Sequence, residues 1–450
     1  MPRPILPALA LAALFASASA GAAQDALSLD EARASADDRS PAVREADARA
    51  RVGGAGRVES WGRLLPSVRL SAGLDRSGVL QRTAEDPITG GIISLPDSLI
   101  EERRSFGTSA MLALDWTVFD GGQNWLAVRG ASARAAAAEL RLAGVRAQTR
   151  ASVTIAYLDV LEAEALLEVR EAEVSRARTL HEAAETRFRT GAVPEIDLLQ
   201  ASLALNEAEL ALEDAHIATD AARAGLEAYI GVLADDVVLD APNAPAVEAS
   251  ALDGVLACVL DLSPEVAALR EEVEAAARAR SATRWSMLPT VGVGATLVRS
   301  EFGQTRDALT TDPRNSQAYY SLNLTWRPLE RPAGWLADGR RATAELDEAE
   351  AALDAGRARV ERDAETAVGR VRRALVVQER GALNVRIAAR QREQAAERYR
   401  LGLAPITETI QAESLARAAE QQAIVARYGV LRALAELELA AGVDPASCGL

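Results

Sequence analysis

The side chains that most often bind metals or act as nucleophiles are scarce in this chain. It has two histidines, His181 and His216, and two cysteines, Cys258 and Cys448. These are too few for a histidine- or cysteine-rich metal site of any size. His181 falls on a heptad position of a predicted helix and His216 stands near acidic residues, so neither is predicted to bind metal or to act in catalysis. We expect no metal, no cofactor and no enzymatic activity.

Two glycine-rich runs are candidates for phosphate-binding loops, and neither has the full pattern. The run Gly53–Gly56 is predicted to lie between helical segments rather than after a strand. The run Asp120–Gly122 lacks the remaining glycine and lysine positions of such a loop. We interpret the second run as a corner where a strand passes into a helix.

Composition indicates how the chain must pack. The 450 residues include 50 basic residues, all of them arginine, against 65 acidic residues, for a net charge of −15. That charge argues against a non-specific nucleic-acid-binding protein, whose affinity comes from neutralising phosphates. Hydrophobic residues make up 49 % of the chain but aromatic residues only 4 %. Alanine, leucine and valine therefore supply most of the burial, which favours closely packed helices.

The N-terminus has the pattern of an export signal. Arg3 precedes the apolar run Ile5–Phe15, and small residues of the A-x-A type follow. We expect residues 1–22 to be a cleaved signal peptide, the alternative being a retained anchor helix. Export would also permit a disulfide between Cys258 and Cys448, which the sequence leaves open because it gives no distance.

The mature chain carries an internal duplication. Pro41 recurs as Pro264, 223 residues later, and the run Arg187–Pro194 recurs as Arg398–Pro405, 211 residues later. Each copy is predicted to run helix, strand, loop, strand, long helix, sharp turn, second long helix. The predicted boundaries are 23–240 for the first copy and 241–450 for the second, with a linker near 235–250, β-hairpins at about 66–118 and 289–327, and long helical hairpins at about 121–231 and 335–442.

The predicted strands and helices have different periodicities. Apolar residues alternate along the strands, as at Val68, Leu70 and Leu74, which gives one apolar and one polar face. Half-buried strands on a soluble core fit this alternation equally well. In a bilayer, four strands could not close a barrel alone, whereas two chains would give eight strands and three would give twelve. The helices carry heptads with alanine ladders, which are typical of coiled coils.

The strand-to-helix run Trp116–Gly122, the long alanine-rich helix and the turn Gly191–Ala201 together resemble the TolC family of outer-membrane efflux proteins, over essentially the whole mature chain. The resemblance implies a mainly α protein with membrane β structure. It implies a homotrimer with a shared 12-stranded β-barrel, four strands per chain, and an α-helical tunnel across the periplasm. The implied partners are outer-membrane lipid, a periplasmic adaptor and an inner-membrane transporter of the RND, ABC or MFS class. The resemblance also implies location in the outer membrane of a Gram-negative-type cell.

The resemblance also suggests site residues. The periplasmic gate positions of the family fall on Asp197, Tyr399, Glu408 and Gln411, while Ala404 stands where the family has a gate arginine. The turns that contact the adaptor fall on six residues, Thr190, Gly191, Ala192, Leu401, Gly402 and Leu403. Apart from the resemblance, Asp197 and Glu408 are also explained as acids that complement the dipole of a first helical turn.

Two other functions are alternatives to an efflux duct. A periplasmic adaptor-like connector would also contain helical hairpins but would form no pore. An enzyme on a helical scaffold would need side chains that converge on a nucleophile or cofactor, and the sequence offers none. The family does not determine the cargo, which could be a drug, a metal ion or a protein in type I secretion.

Overall fold

The computed structural model describes residues 27–80, 83–85, 88–94, 102–231, 237–242, 252, 254–303, 316–327, 330 and 332–448. The predicted signal peptide at 1–22 lies outside the described residues, as does most of the predicted linker at 235–250. The described part of that linker is packed, because Leu239 is buried and forms a parallel β-bridge with Leu27.

The order of helices and strands repeats once along the chain. The first copy contains α1 (Leu29–Arg39), α2 (Pro41–Gly62), β1 (Ser67–Leu80), β2 (Thr83–Glu85), β3 (Ile92–Ser94), β4 (Glu102–Phe119), α3 (Gln123–Arg189) and α4 (Glu195–Ile230). The second copy contains α5 (Val255–Leu262), α6 (Pro264–Trp285), β5 (Thr290–Gly303), β6 (Ser316–Thr325), α7 (Pro332–Arg400) and α8 (Ile406–Ala441), followed by a 3-10 turn at Pro445–Cys448. No described helix is both long enough and apolar enough to cross a membrane.

The chain divides into two compact units, each with segments of both copies. The first unit comprises residues 1–40, 149–248 and 368–436, and the second comprises residues 41–148, 249–367 and 437–450. Apart from the bridge between Leu27 and Leu239, the described secondary structure of the first unit is helical, and the second unit contains the sheets. Within the first unit, Val160, Ala201 and Leu226 lie at heptad positions of α3 and α4 and are buried, as the periodicity predicted.

The four long strands of the second unit form one antiparallel sheet in the order β1-β4-β5-β6. Strands β1 and β4 pair along their whole length, from Ser67 opposite Asp115 to Leu80 opposite Glu102. Strands β1 and β6 form the two edges of the sheet, and many of their apolar side chains are exposed in the single chain. The short hairpin of β2 and β3 was not predicted.

The corner between β4 and α3 shows why this sequence turns from strand to helix. The carboxylate of Asp120 accepts hydrogen bonds from the backbone N–H groups of Gly122 (2.9 Å) and Asn124 (2.7 Å), which caps the first turn of α3. Gly121 has a positive φ of 73°, and a Cβ at this position would lie 2.7 Å from the carbonyl oxygen of Trp285. Glycine is therefore required here by both conformation and space.

Helix α2 corrects one prediction. It is continuous from Pro41 to Gly62, so the prediction that Gly53–Gly56 lies between helical segments is wrong. A Cβ at Gly53 would lie 3.3 Å from the Cβ of Ala138, on α3. The close packing of the two helices explains a glycine inside a helix despite its low helix propensity.

Different interactions join the first and last segments of the two copies. In the first unit, the hydroxyl of Tyr157 lies 2.7 Å from the carbonyl oxygens of both Leu27 and Asp240 and donates to them. Burial raises the pKa of Tyr157 to about 12, so the hydroxyl stays protonated. In the second unit, a disulfide joins Cys258 on α5 to Cys448 in the C-terminal turn, with 5.9 Å between the Cα atoms. This settles the question that the sequence left open.

Candidate functional site

The candidate site lies at the two sharp turns of the first unit, which have nearly the same backbone structure. Gly191 and Gly402 each follow a long helix with a positive φ, 72° and 73°. The N–H of Gly191 donates to the carbonyl of Phe188 (2.9 Å), and the N–H of Gly402 donates to that of Tyr399 (3.0 Å). Glycine ends both helices because it adopts this left-handed conformation at little cost.

The residues predicted to contact an adaptor are at the surface of these turns. Thr190, Gly191 and Ala192 are exposed in the first turn, and Leu401, Gly402 and Leu403 are exposed in the second. The two leucines of the second turn are each more than half exposed, whereas the corresponding residues of the first turn are small or polar. Among these six residues, large apolar side chains are therefore presented by the second turn only.

Tyr399, at the end of α7, is buried against the neighbouring hairpin. It packs with Ala184, Ala201 and Ile406, and it is only 6 % exposed. The guanidinium of Arg187, on α3, lies 4.9 Å from the centre of the Tyr399 ring, within the range of a cation–π interaction.

The same arginine side chain also binds backbone. Arg187 donates hydrogen bonds to the carbonyl oxygens of Tyr399 and Arg400, both at 2.9 Å. Carbonyl groups in the last turn of a helix lack intrahelical partners, so a cation that satisfies two of them is favourable there. Arg187 therefore joins the first helical hairpin to the end of α7.

The remaining gate candidates have different environments. Glu408 lies in the first turn of α8 and forms an ion pair with Arg398 at 2.5 Å. Asp197 lies in the first turn of α4 and is partly exposed, and its carboxylate has no hydrogen bond or ion pair with any described residue. Gln411 is exposed on α8. The structure thus brings Tyr399 into contact with another hairpin but leaves Asp197 unpaired within the described chain.

Charged side chains also connect the hairpins away from the turns. We call this group the charged cluster, and it consists of Arg170, Glu173, Arg176, Arg392, Glu413, Arg417 and Glu420. Arg417 on α8 pairs with Glu173 on α3, and Arg176 lies 3.4 Å from Glu413. The pKa of Glu413 is raised, mainly because the side chain is partly buried, although Arg392 and Arg176 oppose the shift.

Sequence reasoning did not assign a role to Arg187 or to the charged cluster. Arg187 and Arg398 were visible as equivalent positions of the repeat, but their different partners depend on the packing of the hairpins. Among the described residues, the structure has no group of three or more His, Cys, Asp and Glu residues placed to hold a metal ion.

Comparison with known sequences identifies the family. A sequence model described as outer membrane efflux protein matches residues 32–232 and 255–443, so that it covers most of each copy. The chain belongs to the outer membrane efflux protein family. No curated protein sequence matches the chain.

Solved structures share the fold of this outer membrane efflux protein. VceC, an outer membrane protein of Vibrio cholerae, is 19 % identical with a TM-score of 0.75, over 92 % of this chain and 96 % of that one. The CmeC outer membrane channel of Campylobacter jejuni is 16 % identical with a TM-score of 0.78, over 92 % and 85 %. The MtrE outer membrane channel of Neisseria gonorrhoeae, in its open state, is 16 % identical with a TM-score of 0.71, over 92 % and 88 %. The predicted fold class, mainly helical with a four-stranded sheet in each chain, is confirmed.

Proposed function

We propose that this outer membrane efflux protein is one protomer of a homotrimeric duct that exports substrates from the cell envelope. Three chains would combine their sheets into a 12-stranded barrel in the outer membrane and their long helices into a periplasmic tunnel. A periplasmic adaptor and an inner-membrane transporter of the RND, ABC or MFS class would complete the path. In this proposal the duct is passive and the transporter supplies the energy.

The main support for the proposal comes from the two edges of the described sheet, strands β1 and β6. Strand β1 has 14 residues and strand β6 has 10, and within the described sheet each pairs on one side only. Val68 and Leu70 on β1, and Tyr320 and Leu322 on β6, are all about two-thirds exposed or more in the single chain. Long apolar edges are aggregation hazards in water, and in a bilayer their unpaired backbone groups are costly. Pairing of β6 with β1 of the next protomer would remove both problems.

Exposed apolar stripes on the helices support the same assembly. On α4 five residues at helical spacing are each more than half exposed, namely Ile196, Leu199, Leu203, Leu210 and Ile217. On α7 a shorter stripe of three residues is about half exposed, namely Val376, Leu383 and Ile387. Such stripes are typical of coiled-coil seams that lack their partner. We infer that the α4 stripe packs against a neighbouring protomer.

The tryptophans favour a membrane boundary at the ends of the strands. All six lie in the second unit, close to junctions between strands and helices, namely Trp61, Trp116, Trp125, Trp285, Trp326 and Trp335. The indole N–H of Trp116 donates to the carbonyl of Leu64 (3.0 Å), and that of Trp326 donates to the carbonyl of Met287 (3.1 Å). Tryptophan is enriched where a membrane meets water, because its ring is apolar and its N–H is polar.

We propose that the two turns form the gate of the duct. Threefold symmetry would place the carboxylates of Asp197 and Glu408 in rings around the axis, and acidic rings attract cations and set selectivity. Tyr399, held by Arg187, would keep the second hairpin against the first, and Gln411 would line the passage. The exposed turns around Gly191 and Gly402 would receive the adaptor.

Fractionation and bilayer recording test this proposal together. We expect the mature protein, without residues 1–22, in the outer-membrane fraction as a heat-modifiable trimer with cation-selective conductance in planar bilayers. A soluble monomer would contradict the duct. The double variant Asp197→Asn/Glu408→Gln should lose several-fold in cation preference while remaining trimeric, and unchanged selectivity would remove these residues from the gate.

A helical-face variant tests the assembly itself. Leu210→Glu places a charge in the middle of the exposed α4 stripe and should dissociate or weaken the trimer, as measured by native mass spectrometry. Glu207→Gln changes an exposed charge one turn earlier on the same helix and serves as the matched control. A Leu210→Glu protein with an intact trimer would show that the α4 stripe is not an interface.

A further inference from the structure

Tyr399 brings an unsatisfied hydroxyl group into the contact between the two helical hairpins. Its ring packs with Ala184 on α3, Ala201 on α4 and Ile406 on α8, and the residue is only 6 % exposed. The hydroxyl makes no hydrogen bond with any described residue, and the atoms around it shield it from solvent. Because the shielding is complete in the single chain, neither water nor a second protomer can satisfy the hydroxyl while this packing lasts.

Tyr157 is a second buried tyrosine of the first unit, and its hydroxyl is satisfied. That hydroxyl lies 2.7 Å from the carbonyl oxygens of both Leu27 and Asp240. A hydrogen bond in the interior stabilises the folded state, whereas a buried polar group without a partner costs the free energy of its desolvation. The two hydroxyls should therefore act in opposite directions, that of Tyr157 strengthening its contact and that of Tyr399 weakening its own.

Other interactions hold Tyr399 in place despite this cost. Arg187 donates to the carbonyl oxygens of Tyr399 and Arg400, and its guanidinium lies over the ring. Burial of the ring itself is also favourable. These interactions involve the backbone and the ring rather than the hydroxyl. The strength of the contact between the end of α7 and the first hairpin is therefore a balance, to which the hydroxyl contributes with the opposite sign.

A cavity beside Tyr399 provides space in which the hydroxyl could be solvated. The cavity has a volume of about 580 Å³, and Tyr399 forms part of its wall together with polar residues that include Thr179, Glu207 and Ser414. A space of this size with polar groups in its wall admits water. The hydroxyl is shielded in the packed arrangement, but withdrawal of the end of α7 from the first hairpin would bring it to this space and remove the cost.

We propose that the Tyr399 hydroxyl is a release element that raises the free energy of the packed hairpins relative to the separated hairpins. In the packed state the hydroxyl is unsatisfied, and in the separated state water solvates it. A partner that draws the hairpins apart would therefore have to supply less free energy. The effect lies within one protomer and needs no pore. That it eases opening of the gate is a further consequence, which rests on the proposed function.

Hydrogen exchange in the purified full-length protein tests the sign of the effect. Tyr399→Phe removes the hydroxyl and keeps the ring. The turn is compatible with phenylalanine, because Phe188 at the equivalent position accepts the same backbone hydrogen bond from Gly191 (2.9 Å). We expect exchange at residues 399–403 to slow about tenfold in this variant, since the substitution removes a buried polar group without a partner. The variant should also melt at a higher temperature than the wild type.

Tyr157→Phe is the matched control, because the same substitution there removes a satisfied hydroxyl. It should accelerate exchange of the backbone amides of Leu27 and Asp240 about fivefold, since both amides bond across the segments that the Tyr157 hydroxyl joins. Circular dichroism checks that both variants are folded. Unchanged or faster exchange at residues 399–403 in Tyr399→Phe overturns the proposal, because the hydroxyl would then be neutral or stabilising.

Recording in planar bilayers separates this inference from the proposed function. Where the two turns form the gate, Tyr399→Phe should open spontaneously several-fold less often than the wild type. Slower exchange at residues 399–403 with an unchanged frequency of opening would contradict the gate and leave the effect of the hydroxyl on the hairpin contact standing. Exchange that is unchanged or faster overturns that effect, whatever the conductance.

Discussion

The two sharp turns of the first unit share a backbone and differ in their side-chain partners. Both have a glycine with a φ near 72° and the same pattern of backbone hydrogen bonds. Arg187 reaches another hairpin, however, whereas the equivalent Arg398 pairs with Glu408 of its own hairpin. The duplication thus preserved the geometry of the turn while the side chains took separate roles. Experiments on equivalent positions can separate these two contributions.

The largest difference between the copies should be in the stability that comes from the link between their first and last segments. Replacing both cysteines, Cys258→Ala with Cys448→Ala, removes a link across 190 residues and should cost about 3–5 kcal/mol of stability. Tyr157→Phe removes only the hydroxyl that links the first and last segments of the first copy, and it should cost about 1 kcal/mol of stability. Thermal melts with and without reductant measure both. Equal losses would show that the covalent link adds nothing beyond the packing around it.

The next largest difference in stability should be between the arginines of the two turns. Arg187→Met removes two hydrogen bonds from a charged donor and a cation–π contact, at a cost of about 2–3 kcal/mol. Arg398→Met removes one exposed ion pair and should cost about 0.5 kcal/mol. Hydrogen exchange at residues 399–403 should therefore accelerate strongly in the first variant only. A similar acceleration in both would mean that the turns depend equally on their arginines.

The glycines of the two turns should contribute equally to stability. Gly191→Ala and Gly402→Ala each force alanine into a left-handed conformation, at a cost of about 1–2 kcal/mol. An added Cβ meets no atom within 4 Å at either position, so the cost is conformational in both. Local hydrogen exchange at each turn should show the same change. Unequal effects would contradict the equivalence of the two backbones.

The smallest effect concerns Glu413, which has Ser202 at the equivalent position of the first copy. Burial raises the pKa of Glu413, so the folded chain holds this proton more tightly than the unfolded chain. Stability contributed by the protonated form is present at low pH and is lost as the pH rises through the raised pKa. Glu413→Gln should therefore melt slightly higher than the wild type at pH 8 and equally near pH 4. A lower melting temperature at pH 8 would show that the ion pair with Arg176 and the nearby charge of Arg392 dominate.

The sequence predicted features that depend on local pattern. The heptads of α3 and α4, the strand-to-helix corner at Asp120–Gly122 and the glycine turns follow from periodicity and backbone conformation, and the structure has them. Features that depend on distant segments were missed or left open. The disulfide needed a distance, the glycines of α2 are explained by contact with α3, and the partners of Arg187 depend on how two hairpins pack.

The exposed stripe on α4 was missed for a different reason. One seam of α4 is the buried ladder that contains Ala201 and Ala208, and the heptad pattern predicted it. A second set of apolar residues, which includes Leu203 and Leu210, has the same seven-residue spacing. One helix can carry two seams when it has neighbours on two sides. The number of apolar residues per heptad was the signal that could have shown this.

The position of Cys448 has a consequence for biogenesis. It lies 190 residues after its partner Cys258. A chain exported from its N-terminus would expose Cys258 to the oxidising compartment long before Cys448 arrived. The bond would therefore record that the segment around Cys448 has crossed and docked on α5. A chain stalled before Cys448 would keep a free thiol at Cys258, and such a thiol would distinguish it from a chain that has formed the bond.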